Sequence, residues 1–409
     1  MSSVSETSAD DRASARPLRI ALFSGNYNYV RDGANQSLNR LVAFLESRGC
    51  LVRVYSPTSD TPAFEPAGTL VSVPSVSIPG RAEYRLARRL SAALKRDIRD
   101  FAPDIMHLSA PDLLGYSAKA LGKAMGVPVV ASFHTRFDTY LEYYGLGWAR
   151  PLGEAVLRRF YAGLDEVFVT SKGFGDLLRE QHVIDHWSVW SRGVDKVRFH
   201  PAKRSLDFRR GLGIGDAEPV VVFVGRLVLE KGLDIVAAAA AELAARGQSH
   251  RLLIVGDGPA RDRFAAQVPG AIFTGALSGE ALPTAYASAE VLLNPSTTET
   301  FGNINLEAMA SAIPVVAAIA TGSNCLIDDG VTGRLVPAGD IGAFADALTL
   351  YLRDDDARAA AGRAGLAAAQ DYDWDVINGA VLMRYREILA SRFQAGKAGA
   401  APARPAPVA

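Results

Sequence analysis

The feature that most constrains the fold is an alternation of short apolar runs with amphipathic segments, which occurs twice along the chain. Strands that alternate with helices are typical of βαβ units and parallel sheets. The predicted strands of the first series lie at 18–25, 51–57, 104–111 and 127–135, and its predicted helices at 37–49, 84–101 and 115–126. The predicted strands of the second series lie at 219–227, 250–259, 271–277 and 291–296, with an alanine-rich helix at 233–246. The pattern predicts an α/β protein with two Rossmann-like, doubly wound domains facing across a cleft.

Chain length and local composition indicate the domain boundaries. A chain of 409 residues is too long for one hydrophobic core, and the proline-containing stretch 198–205 has the composition of a hinge. The predicted segments are an N-terminal domain at 18–200, a C-terminal domain at 201–371, a terminal helix at 372–392, and disordered tails at 1–17 and 393–409. The first tail lacks the apolar segment of a secretory signal, and the second is of low complexity.

Composition excludes some classes of function. Hydrophobic residues make up 49% of the chain and charged residues 22%, which is typical of a soluble globular protein. Basic and acidic residues number 44 each, so we expect no nucleic-acid partner. Cys50 and Cys325 have no metal-ligand spacing and fit a reducing, cytoplasmic compartment. We find no run of 18 apolar residues and expect no membrane-spanning helix.

The turn GRLVLEKG at 225–232 follows a predicted strand and opens a predicted helix. Its two cations, Arg226 and Lys231, would lie beside a helix N-terminus, which supplies N–H groups and a partial positive charge. This arrangement predicts a diphosphate site, although surface charge at an ordinary βα turn is the alternative. The GDGP turn that contains Gly256 is a weaker signal of the same kind.

The segment ETFGNINLE at 299–307 is bracketed by two glutamates, Glu299 and Glu307. A helix that begins near Gly302 or Asn303 would point its N-terminus at an anion, and the glycine lets the backbone approach a ligand closely. A phosphate repels carboxylates, so each glutamate should face a neutral group such as sugar hydroxyls. The segment predicts a nucleoside diphosphate sugar, with the pyrophosphate between the glutamates. A capping carboxylate plus a helix-surface glutamate is the alternative.

These motifs together resemble the retaining glycosyltransferases of family 4, which have the GT-B fold. The resemblance covers about residues 18–390 and rests on the Glu-x7-Glu segment, the GRLVLEKG loop and the GDGP turn. NYNYVRDGANQSLNRLV and SFHTRFDTYLEYYG are similar to segments of GDP-mannose-dependent α-mannosyltransferases, and sulfoquinovosyltransferase-like members are similar too. In the GT-B fold, the first domain faces the acceptor, the second binds the donor, and the terminal helix crosses back onto the first domain.

The resemblance implies a role for each matching residue. Arg226 and Lys231 would bind the donor diphosphate, Glu299 the hydroxyls of the donor sugar, and Glu307 the ribose. The residues implied for the donor are Gly33, Arg226, Lys231, Gly256, Leu277, Glu299, Phe301, Gly302, Asn303 and Glu307. The residues implied for the acceptor side are Asn35, Arg136, Asp138 and Arg192. The family pattern has two adjacent glycines in the first loop, whereas this chain has Gly33 followed by Ala34.

His134 lies at the end of a predicted strand, at the predicted cleft. A lone histidine is more often structural, but the carboxyl end of a strand and the family-like FHT segment favour a role in the site. The resemblance implies a hydrogen bond to the donor sugar, or a polar wall beside the reacting carbon, without requiring a base. With His134, the residues expected to act in catalysis are Glu299, Arg226 and Lys231.

The reaction implied is retaining transfer of a hexose, with mannose from GDP-mannose favoured, to a lipid or glycan acceptor. We expect no cofactor and no metal, since the acidic run at 354–356 is better explained as a helix N-cap with an acidic first turn. One alternative is a UDP-sugar-dependent glycolipid glycosyltransferase of the glucuronosyl, glucosyl or sulfoquinovosyl type. Others are a non-catalytic nucleotide-sugar-binding paralogue, and a dinucleotide-dependent oxidoreductase, which would need a GxGxxG motif that FSGNYNYVRDG lacks.

Residues 81–99 are strongly basic. The basic residues are Arg81, Arg85, Arg88, Arg89, Lys95, Arg96 and Arg99, and the acidic ones are Glu83 and Asp97. An amphipathic helix here would lie on an anionic membrane surface, and a solvated helix face is the alternative. The first interpretation predicts a cytoplasmic protein that is peripheral on the inner face of the plasma membrane.

Overall fold

The structure is a computed structural model that describes residues 16–29, 33–78, 81–134, 148 and 150–399. The predicted acceptor-side residues Arg136 and Asp138 lie outside the described residues, as do most of the two predicted tails. The chain divides into two compact units, Met1–Ser132 with Leu382–Ala409, and Phe133–Val381. This division differs from the boundary expected at residue 200, which stays a prediction.

Fifteen strands are described. In chain order they are β1 Arg19–Phe23, β2 Leu51–Ser56, β3 Thr69–Ser72, β4 Ser75–Ile78, β5 Arg81–Ala87, β6 Ile105–Leu108, β7 Val129–Phe133, β8 Glu166–Val169, β9 Trp187–Val189, β10 Val220–Val224, β11 Arg251–Val255, β12 Ile272–Gly275, β13 Val291–Asn294, β14 Val315–Ala318 and β15 Gly333–Val336. The predicted strands of both series are therefore confirmed, each within a few residues of its expected ends.

Fourteen α-helices are described between and after these strands. They are α1 Gly33–Ser47, α2 Ala92–Phe101, α3 Leu113–Met125, α4 Arg150–Tyr161, α5 Lys172–Glu180, α6 Leu206–Gly211, α7 Leu233–Ala245, α8 Arg261–Ala265, α9 Ala281–Ala287, α10 Asn303–Ala310, α11 Thr321–Asn324, α12 Ile341–Arg353, α13 Asp355–Ala368 and α14 Trp374–Gly399. Short 3₁₀ turns occupy Pro201–Lys203, Leu229–Lys231 and Ala369–Asp371. In the described part of the chain, no helix is both long and apolar enough to cross a membrane.

Both large sheets have the strand order of a doubly wound fold. The first runs β3-β2-β1-β6-β7-β8-β9 and the second β12-β11-β10-β13-β14-β15. Every pairing within the second sheet is parallel. The order reverses at β1 in one sheet and at β10 in the other, and ligands of such folds bind beyond the carboxyl ends of the strands at this switch point. Two sites are thus expected from topology, one beside each switch point.

The second sheet is buried on both faces, which explains its apolar strands. All five residues of β10 are buried. Val220, Val222 and Val224 belong to one hydrophobic core, whereas Val221 and Phe223 belong to another. Successive side chains of a strand point to opposite faces, so a strand covered by helices on both sides needs apolar residues at every position.

The structure corrects the long helix predicted at 84–101. Residues Arg81–Ala87 instead form β5, which pairs antiparallel with β4, and the helix begins at Ala92. Ser91 caps that helix, because its hydroxyl accepts a hydrogen bond from the N–H of Leu94 at 3.2 Å. The capping serine sets the helix start, and the charged segment before it forms a hairpin.

The acidic run at 354–356 forms the predicted helix cap, whereas the expected return of the terminal helix to the first domain stays a prediction. The Asp354 carboxylate accepts from the N–H of Ala357 at 2.9 Å, and Asp355 and Asp356 lie in the first turn of α13, so the acidic run is a cap. In the first unit, Tyr385 of α14 lies 2.5 Å from the buried Nδ1 of His107 on β6.

Candidate functional site

The switch point of the second sheet brings a lysine and a glutamate together. The loop after β10 ends at Lys231 and the loop after the neighbouring strand β13 carries Glu299. Lys231 Nζ donates to Glu299 Oε1 at 2.5 Å, with side chains 27% and 15% exposed. The two motifs identified in the sequence, more than sixty residues apart, therefore meet in space at the place where topology predicts a ligand.

Local contacts hold both loops. Lys231 ends a 3₁₀ turn, and the Thr298 hydroxyl lies 3.4 Å from the carbonyl oxygen of Glu230. The carbonyl oxygen of Glu299 accepts from the N–H of Gly322 at 2.9 Å. Arg226 lies in the first of these loops with an exposed side chain. Of the two cations of this loop, Lys231 is therefore partly buried and Arg226 is exposed.

The N-terminus of α10 has the geometry expected for an anion site. Gly302 precedes the helix with φ +91°, and a β-carbon there would lie 2.8 Å from Asn305 Nδ2, so glycine is required twice over. No side chain caps this helix, and the N–H groups of Asn303 and Ile304 have no acceptor within the helix. Amides in this position bind phosphate or sugar oxygens.

Glu307 lies one turn further along α10 and is partly exposed. Tyr286 on α9 donates its hydroxyl to Glu307 Oε2 at 2.8 Å. Burial raises the pKa of Glu307 to about 7, while the Tyr286 hydrogen bond and the charge of Arg198 act in the opposite direction. The carboxylate can therefore exist in either protonation state near neutral pH.

Three further predicted donor-side residues, Gly256, Leu277 and Phe301, belong to the second unit. Gly256 follows β11, and a β-carbon there would lie 1.9 Å from the carbonyl oxygen of Gly225, so the loops after β10 and β11 are in close contact. The N–H of Gly256 donates to the carbonyl oxygen of Gly275 at 2.9 Å. Phe301 is part of the hydrophobic core, and the side chain of Leu277 packs against it.

His134 and Arg192 form a pair in the second unit. Arg192 is 4% exposed, its guanidinium lies over the Trp190 ring, and its Nη2 is 2.7 Å from Nδ1 of His134. A guanidinium only donates, so Nδ1 must accept, and the proton of the neutral imidazole lies on Nε2. Arg192 thus contacts His134 in this structure, and its expected acceptor-side role stays a prediction.

Hydrogen bonds link the Glu299 loop to His134. Thr300 donates its hydroxyl to the carbonyl oxygen of His134 at 2.9 Å, and Thr170 donates to the carbonyl oxygen of Thr300 at 2.8 Å. The residue next to Glu299 is therefore fixed to the ends of β7 and β8. Neither threonine carries a sequence signal, because isolated threonines occur throughout loops and strands.

The switch point of the first sheet carries a carboxylate of its own. Asp112 follows β6 and caps α3 through the N–H of Gly115 at 2.6 Å, close to Gly25 after β1. Burial raises the pKa of Asp112 to about 6. Gly33 begins α1, and Asn35 is buried in its first turn. Asp112 was not predicted, although an aspartate between a strand and a helix is the signal that would have found it.

A cavity of about 880 Å³ lies in the second unit. Its lining includes Phe301, Cys325 and Tyr372, together with the first turn of α5. Phe301 is one of the predicted donor-binding residues, but none of the four charged donor-side residues lines this cavity. Burial raises the pKa of the Cys325 thiol to about 11, which makes it a poor nucleophile.

Comparison with known proteins agrees with the fold and the motifs. Residues 31–198 match the family described as Glycosyltransferase Family 4, and residues 218–354 match the family described as Glycosyl transferases group 1. Sucrose-phosphate synthase from Thermosynechococcus elongatus superposes with a TM-score of 0.74 at 22% identity, over 91% of this chain and 100% of that one. Anabaena HepE in complex with UDP and glucose has a TM-score of 0.69 at 19% identity, over 90% and 100% of the chains. These likenesses show the GT-B fold.

Curated relatives are more similar in sequence. A sulfoquinovosyl transferase from Arabidopsis thaliana is 32% identical over 89% of this chain and 72% of its own length. A GDP-mannose-dependent alpha-mannosyltransferase from Mycolicibacterium smegmatis is 33% identical over 92% and 99%, and one from Corynebacterium glutamicum 30% identical over 92% and 90%. Fold and motifs together define a glycosyltransferase with two Rossmann-like domains. The chain belongs to the family 4 glycosyltransferases.

Proposed function

We propose that this glycosyltransferase moves mannose from GDP-mannose to a lipid or glycan acceptor, with retention of the anomeric configuration and without a metal. The proposal for the donor is supported by relatives at 30–34% identity that are named GDP-mannose-dependent alpha-mannosyltransferases. The proposal for the mechanism is supported by the cations and the uncapped helix N-terminus at the second switch point.

The contact between Lys231 and Glu299 is the observation that carries the proposal. An ammonium has three donors, so Lys231 can bond Glu299 and a phosphate oxygen at once, while Glu299 keeps lone pairs for sugar hydroxyls. The pair therefore sets the diphosphate next to the hexose. In this arrangement Glu307, further along α10, holds the ribose, and the amides of Gly302 and Asn303 meet the sugar and the phosphate.

The transfer replaces one bond at the anomeric carbon by another. The bond from this carbon to the diphosphate oxygen breaks, and the acceptor oxygen bonds to the same face. The acceptor proton passes to an oxygen of the leaving diphosphate, which becomes its base. Arg226, Lys231 and the N-terminus of α10 stabilise the negative charge that develops on the diphosphate.

His134 is proposed to act as a hydrogen-bond donor to the hexose. Its Nδ1 accepts from Arg192, so the ring presents a protonated Nε2 and not a basic nitrogen. In the other unit, Gly33 and Asn35 are proposed to serve the donor phosphates and the acceptor, and Asp112 offers a further carboxylate for acceptor hydroxyls. Arg136 and Asp138 stay proposed for the acceptor.

A UDP-sugar donor is the second candidate, because the sulfoquinovosyl transferase from Arabidopsis thaliana is as similar in sequence as the mannosyltransferases. The glutamates and the diphosphate cations described above suit both kinds of donor. Their proposed partners are the ribose, diphosphate and hexose, which GDP-mannose and UDP-hexoses share. A non-catalytic paralogue would bind the same donors without releasing a nucleoside diphosphate.

A donor panel separates these candidates. The protein is incubated with a lipid extract and with GDP-mannose, UDP-glucose, UDP-glucuronate or UDP-sulfoquinovose, and free nucleoside diphosphate is measured. We expect release of GDP from GDP-mannose and a new mannosylated lipid by mass spectrometry, with Lys231→Ala as the matched inactive control. Release of UDP but not of GDP would show that the donor is a UDP-sugar. Donor binding with no release from any donor would indicate the paralogue.

A surface at the hairpin of β4 and β5 supports a peripheral membrane location. Val76 and Leu86 face each other across the hairpin and are 42% and 43% exposed. The exposed arginines around them are Arg85, Arg88, Arg89 and Arg96. The charge of Asp97 is paired, since its carboxylate lies 2.8 Å from the Arg53 guanidinium and 2.8 Å from the Tyr55 hydroxyl. We propose that this hairpin surface contacts anionic lipid on the cytoplasmic side of the membrane.

A further inference from the structure

The carboxylate of Glu307 is held by a residue that no motif of the chain includes. Tyr286 is completely buried, and its ring packs edge-on against Phe199 at 5.7 Å. Its hydroxyl, the one polar group of the side chain, donates to Glu307 Oε2 at 2.8 Å. A buried ring fixed by its neighbours can direct its hydroxyl to only one place.

The two oxygens of Glu307 have different surroundings. Within the described part of the chain, Oε2 accepts from Tyr286 and Oε1 accepts no hydrogen bond. Glu307 as a whole residue is partly exposed. With Oε2 fixed on the buried side, the carboxylate plane has one orientation, and Oε1 is the oxygen left for a ligand.

We propose that Tyr286 is a positioning residue that orients the Glu307 carboxylate and keeps it ionised for recognition of the two ribose hydroxyls of the nucleotide. The proposal deepens the function given above and rests on Glu307 facing the ribose. An ionised carboxylate accepts from both hydroxyls of a ribose, whereas the protonated form has lost one acceptor. Tyr286 therefore supports ribose binding without touching the nucleotide.

The charged groups around this pair determine how pH acts on it. Arg198 attracts the Glu307 carboxylate, and Glu299 repels the ionised form of Tyr286, which keeps the tyrosine a donor. Burial raises the pKa of Glu307 to about 7, and the hydrogen bond from Tyr286 lowers it. Removing the hydroxyl removes that lowering, so the carboxylate would need a higher pH to ionise.

The test compares nucleotides with and without ribose hydroxyls. Binding of GDP and of 2′,3′-dideoxy-GDP, and of the corresponding uridine pair, is measured by calorimetry at several pH values from 6 to 9. We expect the wild-type protein to prefer the ribonucleotide above pH 7 and to lose the preference as the pH falls. Tyr286→Phe should reduce the preference at pH 7 by roughly 10-fold, the scale of a hydrogen bond to a charged group, and recover part of it at higher pH.

A matched control exists in the other unit. Tyr55 donates to the Asp97 carboxylate at the same distance, 2.8 Å, so Tyr55→Phe removes an equivalent bond that does not involve Glu307. It should leave the ribose preference and its pH dependence unchanged. Glu307→Gln should abolish the pH dependence, and adding Tyr286→Phe to it should have no further effect on the preference.

The outcomes separate three failures. If the wild-type protein binds neither nucleoside diphosphate, the proposed function is wrong. If it binds both forms equally at every pH, Glu307 does not face the ribose. A normal ribose preference with an unshifted pH profile in Tyr286→Phe overturns the positioning role, and a lower melting temperature alone would then show that the tyrosine is structural.

Discussion

At the scale of single residues, the charged side chains at the switch point of the second sheet differ in how deeply they are buried. Lys231 and Glu299 are both mostly buried and bonded to each other, whereas Arg226 extends into solvent. Removal of one partner from such a pair leaves the other charge uncompensated, which costs more than the pair itself contributes. The two cations of the loop should therefore differ in how their loss affects the site.

The first prediction concerns these cations. Lys231→Ala and Arg226→Ala should each lower kcat/KM by at least ~100-fold, about 2.7 kcal/mol of lost stabilisation of the leaving diphosphate. The lysine variant should be the more severe, because it also frees Glu299 beside the phosphates. Steady-state kinetics measure both, with Lys203→Ala, a lysine paired with Glu280, as the control.

The same assay tests the expectation that the cations act without a metal. Activity should be unchanged after extensive treatment with a chelator. A complete loss of activity that added divalent metal restores would contradict this prediction.

The second prediction is that substitution of Glu299 and substitution of Glu307 affect different kinetic constants. The hexose gains positive charge as its bond to the diphosphate breaks, so contacts of Glu299 can strengthen in the transition state, and Glu299→Gln should cut kcat strongly. The ribose does not change during the reaction, so Glu307→Gln should act mainly through the donor KM. Equal losses of kcat with an unaltered KM in both variants would show that this division is wrong.

The sequence singled out the charged residues of the two loops at this edge, because charged side chains in these patterns are unusual directly after a buried strand. A pair of glutamates around a glycine, and two cations at a strand exit, are visible as patterns. Tyr286 and Thr300 could not be predicted, since each acts through a partner brought near by the fold. A tyrosine in an apolar helix has the pattern of a core residue, and it is one, with a single hydroxyl directed at a carboxylate.

At the scale of elements, the helix cap at Ser91 determines whether the basic residues before α2 lie on a helix or on a hairpin. The helix begins after Ser91, so the arginines at 85, 88 and 89 lie on a hairpin and its exit. Leu94, Ile98 and Phe101 of the helix are buried. The exposed apolar residues next to the arginines are therefore those of the hairpin, Val76 and Leu86.

The third prediction addresses this hairpin surface. Changing Arg85, Arg88, Arg89 and Arg96 together to Ser should weaken binding to vesicles that contain anionic lipid, by roughly 1 kcal/mol per residue. Raising the salt concentration should have a similar effect on the unmodified protein, because surface attraction is screened. Co-sedimentation with vesicles measures both effects.

A variant with the same loss of charge elsewhere serves as the control. Its exposed positions, all in the second unit, are Arg261, Arg263, Arg334 and Arg363. Equal binding by the two variants would assign the effect to net charge, and unaltered binding by the hairpin variant would make this surface an ordinary solvated one.

The spacing of apolar residues predicted the type of an element, helix or strand, wherever that element buries both of its faces or one continuous stripe. The strands of the second sheet illustrate this, since a short unbroken apolar run such as Val220–Val224 is typical of a strand that is covered on both faces. The hairpin was missed for the opposite reason. Its run of basic residues also fits a basic helix, so the sequence pattern did not distinguish the two.

At the scale of the whole molecule, two sheets share one strand order and each carries a carboxylate beside its switch point. Topology could be predicted because alternation of strands and helices permits few arrangements. The domain boundary expected at residue 200 stays a prediction. Residues Leu382 onward belong to the first unit, where Tyr385 contacts His107.

The fourth prediction concerns acid stability. Burial lowers the pKa of His107 to about 3, against an ordinary value near 6.5, so the folded state holds this ring neutral. The stabilisation is fully present above pH 6.5 and is lost as the pH falls toward 3, because the unfolded chain binds the proton first. Between pH 7 and pH 5 the unfolding free energy should fall by about 2 kcal/mol from this group.

Urea unfolding at both pH values measures this loss. His107→Gln lowers stability at pH 7 but should show a smaller decrease between the two pH values. The partly exposed His250 provides a comparison, since His250→Gln should leave the decrease as it is in the unmodified protein. If His107→Gln shows the full decrease, other groups cause the acid sensitivity.

The shared last helix has a consequence for protein synthesis. About 250 residues separate the two parts of the first unit in the chain. At roughly 5–20 residues per second, a ribosome needs roughly 12–50 s to produce that stretch. This stretch is the second unit itself, which is continuous in sequence, and throughout its synthesis the first unit lacks the helix segment that contacts His107. The unit that is synthesised first is thus the last to be completed.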